Sequence, residues 1–152
     1  MISRKLLAVA SIGGHWMQLL RIVSPANSEF EIIYLSTHPK CATMVEGHKF
    51  YTMTDFSRWD FHKLFRVFFQ AAKIIWKEKP DIVITTGAAP GMIALFVAKL
   101  FGKRTIWVDS IANVEKLSLS GKIASKFAAK TYTQWESLAT PRILYAGNVF
   151  EQ

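Results

Sequence analysis

One cysteine, Cys41, stands in 152 residues. No internal disulfide can form and no cysteine metal site can assemble, which suits a reducing compartment. Acidic residues are scarce too: 11 Asp and Glu face 19 Lys and Arg, for a net charge of +8. A balance this basic points to an anionic partner (nucleic acid, membrane lipid or a phosphorylated ligand) or to plain solubility. Charged residues make up only 20% of the chain and apolar ones 51%, which excludes global disorder. No apolar stretch is long enough and free enough of charge to span a bilayer, so any membrane contact is expected to be peripheral. Also missing are a GK[ST] phosphate loop, a Ser-His-Asp order, histidines at metal-ligand spacing and a helix-turn-helix signature. His38, His48 and His62 have no obvious partners. A basic domain with no base-stacking motif is not expected to read nucleic acid.

What is present is an alternation of short β-rich runs with helical runs. Residues 4–10, 31–35, 50–53, 82–85, 105–109 and 131–133 read as strands, and 143–145 as strand-like. Residues 15–23, 58–78, 90–101 and 119–129 read as helices, with Pro90 suited to a first turn and Gly102 to a stop. This order predicts an α/β fold, a Rossmann-like parallel sheet with helices on both faces, in a single domain over 1–152. The repeats are too few for an eight-fold barrel. A doubly wound domain that stops at Gln152 looks like half of a larger enzyme.

Two loops each follow a strand and open a helix. They are Ser11-Ile12-Gly13-Gly14-His15 and Thr85-Thr86-Gly87-Ala88-Ala89-Pro90-Gly91. Unpaired N–H groups at a helix start, with the positive end of the helix dipole, favour phosphate or diphosphate. On one parallel sheet both loops would lie at the carboxyl edge, where ligands of open α/β folds bind. The first loop lacks the third glycine of a dinucleotide fingerprint, and no acidic residue ends the second strand, so NAD and FAD are not expected. His15 could donate to a phosphate, act as a base, or simply cap or pack. Asp109, ending a strand at the same edge with Ser110 and Asn113 after it, could bind a sugar hydroxyl, act as a base, or order its loop.

In the long helix, Lys63, Arg66, Gln70, Lys73 and Lys77 recur at steps of three and four and form one polar, almost wholly basic stripe. Phe61, Leu64, Phe65, Val67, Phe68, Phe69, Ile74, Ile75 and Trp76 take most of the remaining circumference. That arc is wider than one sheet face needs. The surplus implies either deeper burial or a membrane interface, with Phe61, Phe65, Phe68 and Phe69 dipping in and Lys63, Arg66 and Lys73 at the headgroups.

The run Asp109-Ser110-Ile111-Ala112-Asn113-Val114-Glu115-Lys116-Leu117-Ser118-Leu119-Ser120-Gly121-Lys122 carries a family likeness. With the Gly13-Gly14-His15 loop upstream and Thr133-Gln134-Trp135 downstream, it resembles the asparagine-linked glycosylation protein fourteen family, in its bacterial exopolysaccharide and capsule (PssD-like) branch. The resemblance covers nearly the whole chain. It implies the amino-terminal, acceptor-binding half of a split, inverting GT-B glycosyltransferase on the cytoplasmic face of the membrane. A partner subunit would supply the donor-binding half and most of the UDP-sugar contacts. The acceptor would be a polyprenyl-diphosphate-linked sugar, and no cofactor or metal is implied. By this analogy Gly13, Gly14 and Gly87 hold the acceptor diphosphate, Ser110 and Asn113 lie near the acceptor sugar, and His15 and Asp109 are the candidate catalytic bases. Trp135 and Tyr145 would help dock the partner. Asp109 falls where the family commonly has Glu, and Glu136 stands in place of an expected proline. The alternative function is a non-catalytic scaffold that recruits a complete transferase.

Overall fold

The computed structural model describes residues 3–57 and 59–150. Its strands are β1 (Arg4–Ala10), β2 (Phe30–Ser36), β3 (Lys49–Thr52), β4 (Ile82–Gly87), β5 (Arg104–Val108), β6 (Lys130–Thr133) and β7 (Ile143–Tyr145). The helices are α1 (Gly14–Val23), α2 (Leu64–Glu78), α3 (Ala89–Leu100) and α4 (Leu119–Ala124). The strands form one seven-stranded sheet in the order β3-β2-β1-β4-β5-β6-β7, and every neighbouring pair is parallel. The sequence explains the all-parallel arrangement. The middles of β1, β2 and β4 are near-continuous apolar runs, as strands buried on both faces must be.

Alternation along each strand divides the core. Leu7, Val9, Ile33, Leu35, Val83 and Trp107 face a layer made by α2, α3 and α4. Leu6, Ala8, Ala10, Ile32, Tyr34, Ile84 and Val108 face the other way, onto α1 and the turn at Pro39–Met44. The helical layers are therefore unequal, and on the α1 side β5 and β6 keep an apolar cavity of about 400 Å³ lined by Ile84, Ile106, Val108 and Tyr132.

Two helices differ from the sequence expectation. The long helix begins with a 3₁₀ turn at Phe61–Lys63 and becomes regular only at Leu64, while its expected start at Arg58 lies outside the described residues. The last helix stops at Ala124 rather than near 129. There the bonds tighten to Lys126 N–H on the Ile123 carbonyl and Phe127 N–H on the Ala124 carbonyl. The freed carbonyls of Ser125 and Phe127 accept instead from Arg142 and Lys99. Cations at a helix carboxyl end satisfy these acceptors and oppose the dipole.

At the amino edge of the sheet, the last residue of α2 is a buried acid. Glu78 accepts hydrogen bonds from the Tyr51 hydroxyl and from Lys49 Nζ, and Lys5 Nζ lies 3.8 Å away. Burial opposes its charge, but these bonds and the two ammonium groups outweigh that cost and hold the carboxyl below its usual range. The same bond, with burial and the nearby carboxylate charge, pushes the Tyr51 hydroxyl up to about 12.

Candidate functional site

The strand order reverses between β1 and β4, and the loops after these two strands are the glycine loops singled out by sequence. In an open α/β sheet such a switch point opens a crevice at the carboxyl edge. The loops are tied together: Ser11 N–H donates to the Gly87 carbonyl at 3.0 Å, and Thr86 Oγ1 donates to the His15 carbonyl at 2.6 Å. Gly13 has φ +106° and Gly87 φ +116°, values that L side chains rarely adopt. A Cβ at Gly87 would also fall 2.9 Å from His15 Nδ1, so the imidazole occupies the space that a side chain there would take.

His15 is half-buried, and its Nδ1 lies 3.0 Å from the Thr86 carbonyl oxygen. A carbonyl only accepts, so Nδ1 carries the proton and Nε2 is the ring nitrogen left for a ligand. Four helices begin at this edge, α2 among them after its 3₁₀ turn. Neither α1 nor α3 has a side-chain cap or an acidic residue in its first turn. By contrast, α4 is capped by Ser118, whose Oγ accepts from Gly121 N–H at 2.9 Å. The α2 start is uncapped too but is extended by the 3₁₀ turn at Phe61–Lys63, and of the uncapped starts α1 and α3 are the two that flank the crevice.

Asp109 is brought to the same edge, but its carboxylate is enclosed. It is 1% exposed and accepts four hydrogen bonds. Trp107 Nε1 and Ser118 Oγ reach Oδ1 at 3.0 and 2.7 Å, while Ser118 N–H and Asn113 Nδ2 reach Oδ2 at 3.0 and 3.2 Å. A carboxylate has about four lone-pair directions, and all are taken by the protein. This arrangement accounts for the Leu117–Lys122 signature. Ser118 caps α4 and bonds the acid, and a Cβ at Gly121 would fall 2.5 Å from Asp109 Oδ1. Asn113 is spent on the same carboxylate, and Ser110 Oγ accepts from Gln18 Nε2 and Ala112 N–H.

Two residues that sequence reasoning did not place at the site organise it. Gln18, one turn beyond His15, accepts Ile111 N–H at 3.1 Å and Gln134 Nε2 at 2.6 Å. Gln134 also donates to the Asp109 carbonyl at 2.9 Å, and Trp135 Nε1 donates to the Ile111 carbonyl at 2.7 Å. The Gln134-Trp135 pair was visible as a family signature, whereas nothing in the sequence pairs Gln18 with residues more than ninety positions away.

On α2 and the 3₁₀ turn before it, Phe61, Phe65, Phe69 and Trp76 stand 66–71% exposed, beside exposed Arg66, Lys73 and Lys77. Trp59 precedes them at 78% exposed. Phe68 departs from the expectation of surface contact: it is half-buried and packs against the core cluster under α2. Lys63 is only partly exposed. The apolar surface continues on the neighbouring helices with Phe96 and Leu100 of α3 and Leu119 and Ile123 of α4. Among the described residues, no helix is long and apolar enough to cross a membrane.

Residues 57–149 match the family described as oligosaccharide biosynthesis protein Alg14 like. The chain is 35% identical over 85 residues to the UDP-N-acetylglucosamine transferase subunit ALG14 of Yarrowia lipolytica, covering 51% of this chain and 39% of the relative. It is 24% identical to the subunit of the same name from Mus musculus, over 97% of this chain and 83% of that one. The chain thus spans well under two thirds of the yeast relative. Among solved structures it is similar to MurG of Acinetobacter baumannii, with TM-score 0.80 at 14% identity over 95% of this chain and 46% of that one. It is also similar to a UDP-N-acetylglucosamine 2-epimerase from Rickettsia bellii, with TM-score 0.75 at 12% identity over 98% and 46%. In both comparisons the whole of this fold corresponds to about half of the other chain, so the likeness is to one α/β half of a GT-B-type fold.

Proposed function

The chain belongs to the Alg14-like family of oligosaccharide biosynthesis proteins, and we propose that it is the acceptor-binding subunit of a two-component, inverting glycosyltransferase. The reaction moves a sugar from a UDP-sugar to a polyprenyl-diphosphate-linked acceptor at the cytoplasmic face of a membrane. A partner subunit supplies the donor-binding half. Within the family we assign the chain to the bacterial exopolysaccharide and capsule branch.

The observation that carries this reading is the pair of uncapped helix starts on either side of the β1/β4 crevice, with His15 spanning it. The acceptor diphosphate would lie against exposed Gly13 and Gly14, where no side chain stands over the backbone, while Gly87, buried with its N–H on Thr85 Oγ1 and the His15 imidazole beside it, shapes the crevice rather than donating to the anion. Inversion needs a base at the acceptor hydroxyl. We assign that role to His15: Nε2 takes the hydroxyl proton, the freed oxygen bonds to the anomeric carbon, and the bond from that carbon to UDP breaks with the electron pair leaving on UDP. Asp109, with every lone pair engaged inside the fold, positions the loop that carries Ser110 and Asn113 instead of removing the proton. The aromatic row on α2 lies in the headgroup region, with Arg66, Lys73 and Lys77 against anionic lipid, each worth about 1 kcal/mol.

The test is a transferase assay on anionic vesicles carrying the polyprenyl-diphosphate-linked sugar, with a panel of UDP-sugars. It compares this chain, the partner and the mixture. Transfer only in the mixture supports the reading, and His15→Ala should then lower kcat by roughly 10²–10⁴-fold. Full activity from the partner alone would reduce this chain to a recruiting scaffold, and an undiminished His15→Ala mixture would remove the base.

A further inference from the structure

Resting on the acceptor-subunit reading, we propose that Gln134 is a positioning residue that couples the loop 110–113 to the segment 146–150, so that seating of the segment orders the loop. Gln134 is 3% exposed and follows β6 directly. Three bonds from its one amide group reach three separate parts of the chain. Nε2 donates to the Asp109 carbonyl at 2.9 Å and to Gln18 Oε1 at 2.6 Å, while Oε1 accepts Val149 N–H at 3.0 Å. Gln18 carries the chain onward, because its Oε1 also accepts Ile111 N–H at 3.1 Å and its Nε2 donates to Ser110 Oγ at 3.1 Å. A continuous run of polar contacts therefore leads from Val149 through two amides to the loop beside the crevice.

The far end of this run is held by side chains and belongs to no strand or helix. The Val149 carbonyl accepts from Arg21 Nη1 at 3.2 Å, and the Arg21 guanidinium lies 5.8 Å from the centre of the Phe150 ring. The segment borders the apolar cavity on β5 and β6, where α1 leaves the sheet uncovered. A segment outside any ladder, anchored by the buried Val149 side chain and a few side-chain bonds, opens more readily than the strands around it. When Val149 leaves, the Gln134 amide loses the acceptor contact that orients it, and the bonds to Gln18 and Asp109 weaken together.

Amide hydrogen exchange on the full chain tests the coupling without any substrate. Val149→Pro removes the N–H that Gln134 accepts. Gln134→Glu keeps that acceptor and removes both Nε2 donations. Arg21→Ala loosens the segment from its other side without touching the relay, and it serves where Val149→Pro does not fold. Each variant is expected to speed exchange at Ile111 by roughly five- to tenfold, as loss of about one net hydrogen bond implies, with Leu7 and Val83 unchanged. In the reconstituted reaction each should raise the acceptor KM and leave kcat near wild type. Fast exchange at Ile111 in Gln134→Glu with wild-type exchange in both segment variants would overturn the coupling. So would a rise shared equally by Leu7 and Val83. Absence of transfer in the wild-type mixture would instead sink the acceptor reading, and the exchange result would stand apart from it.

Discussion

Two buried carboxylates sit at opposite edges of one sheet and are neutralised in opposite ways. Asp109, at the carboxyl edge, is surrounded by neutral donors: an indole, a hydroxyl, a backbone amide and a side-chain amide. Glu78, at the amino edge, is met by two ammonium groups and a phenol. The partners of Asp109 sit in β5, in its own loop and at the cap of α4, and the buried Trp107 indole in particular has no route to water if the acid is lost, whereas Asn113 and Ser118 are partly exposed. The lysines of Glu78 reach in from solvent, with side chains 32% and 56% exposed, and can rehydrate. Neutral, directional donors suit the edge where a loop must be shaped. Mobile charges suit the edge where a helix end only needs to be pinned.

Substitution should show this difference directly. Asp109→Asn turns an amide nitrogen towards two of the donors around the acid, and each one left buried without an acceptor costs about 1–3 kcal/mol. The expected loss is about 3 kcal/mol, or roughly 6–12 °C in Tm, read by thermal and urea unfolding. A loss under 1 kcal/mol would mean that the donors find water and the enclosure matters little. Glu78→Gln should cost less, about 1–2 kcal/mol, because Lys5 and Lys49 are free to solvate. It should also flatten the acid limb. The folded chain holds the Glu78 carboxyl below its ordinary value, so this contribution is present above that value and is lost as pH falls through the lowered one. An acid limb identical in wild type and Glu78→Gln would contradict the assignment.

The effect of Tyr51→Phe on the pH profile is expected only at the alkaline end and is absent near neutral pH. Tyr51 keeps its proton to about 12 in the folded chain against an ordinary 10.0, so between those values the folded state binds more protons and stability falls as pH rises. The phenylalanine variant should lack that decline in a stability profile from pH 9 to 12. A decline of equal depth in both proteins would place it on the lysines instead.

Much of the fold was legible because its signals are local. Alternating strand and helix runs placed all seven strands, and Gly13 and Gly87 marked the two turns that the structure brings to one crevice. The reading of the long helix was less secure because neighbouring residues differ in fate. Phe68 packs on the core while Phe69 faces out, a division set by how α2 is rotated against α3. At the site, the choice between a catalytic and a loop-ordering Asp109 could not be made from its neighbours. It rests on whether the carboxylate reaches solvent, and Ser118 and Gly121 close it off only once α4 folds back over the strand end.

By itself, then, the sequence determined the fold class, the strand and helix order and the loops that open helices. Periodicity and turn chemistry act over a few residues and need no knowledge of distant chain. Tertiary structure alone decided which helix starts remain uncapped, which acid is sealed and how Gln18 and Gln134 meet across 116 positions. Hydrogen-bond partners are chosen by what folding brings within about 3 Å, and for polar side chains that carry no periodic signal, only the packed sheet makes the choice.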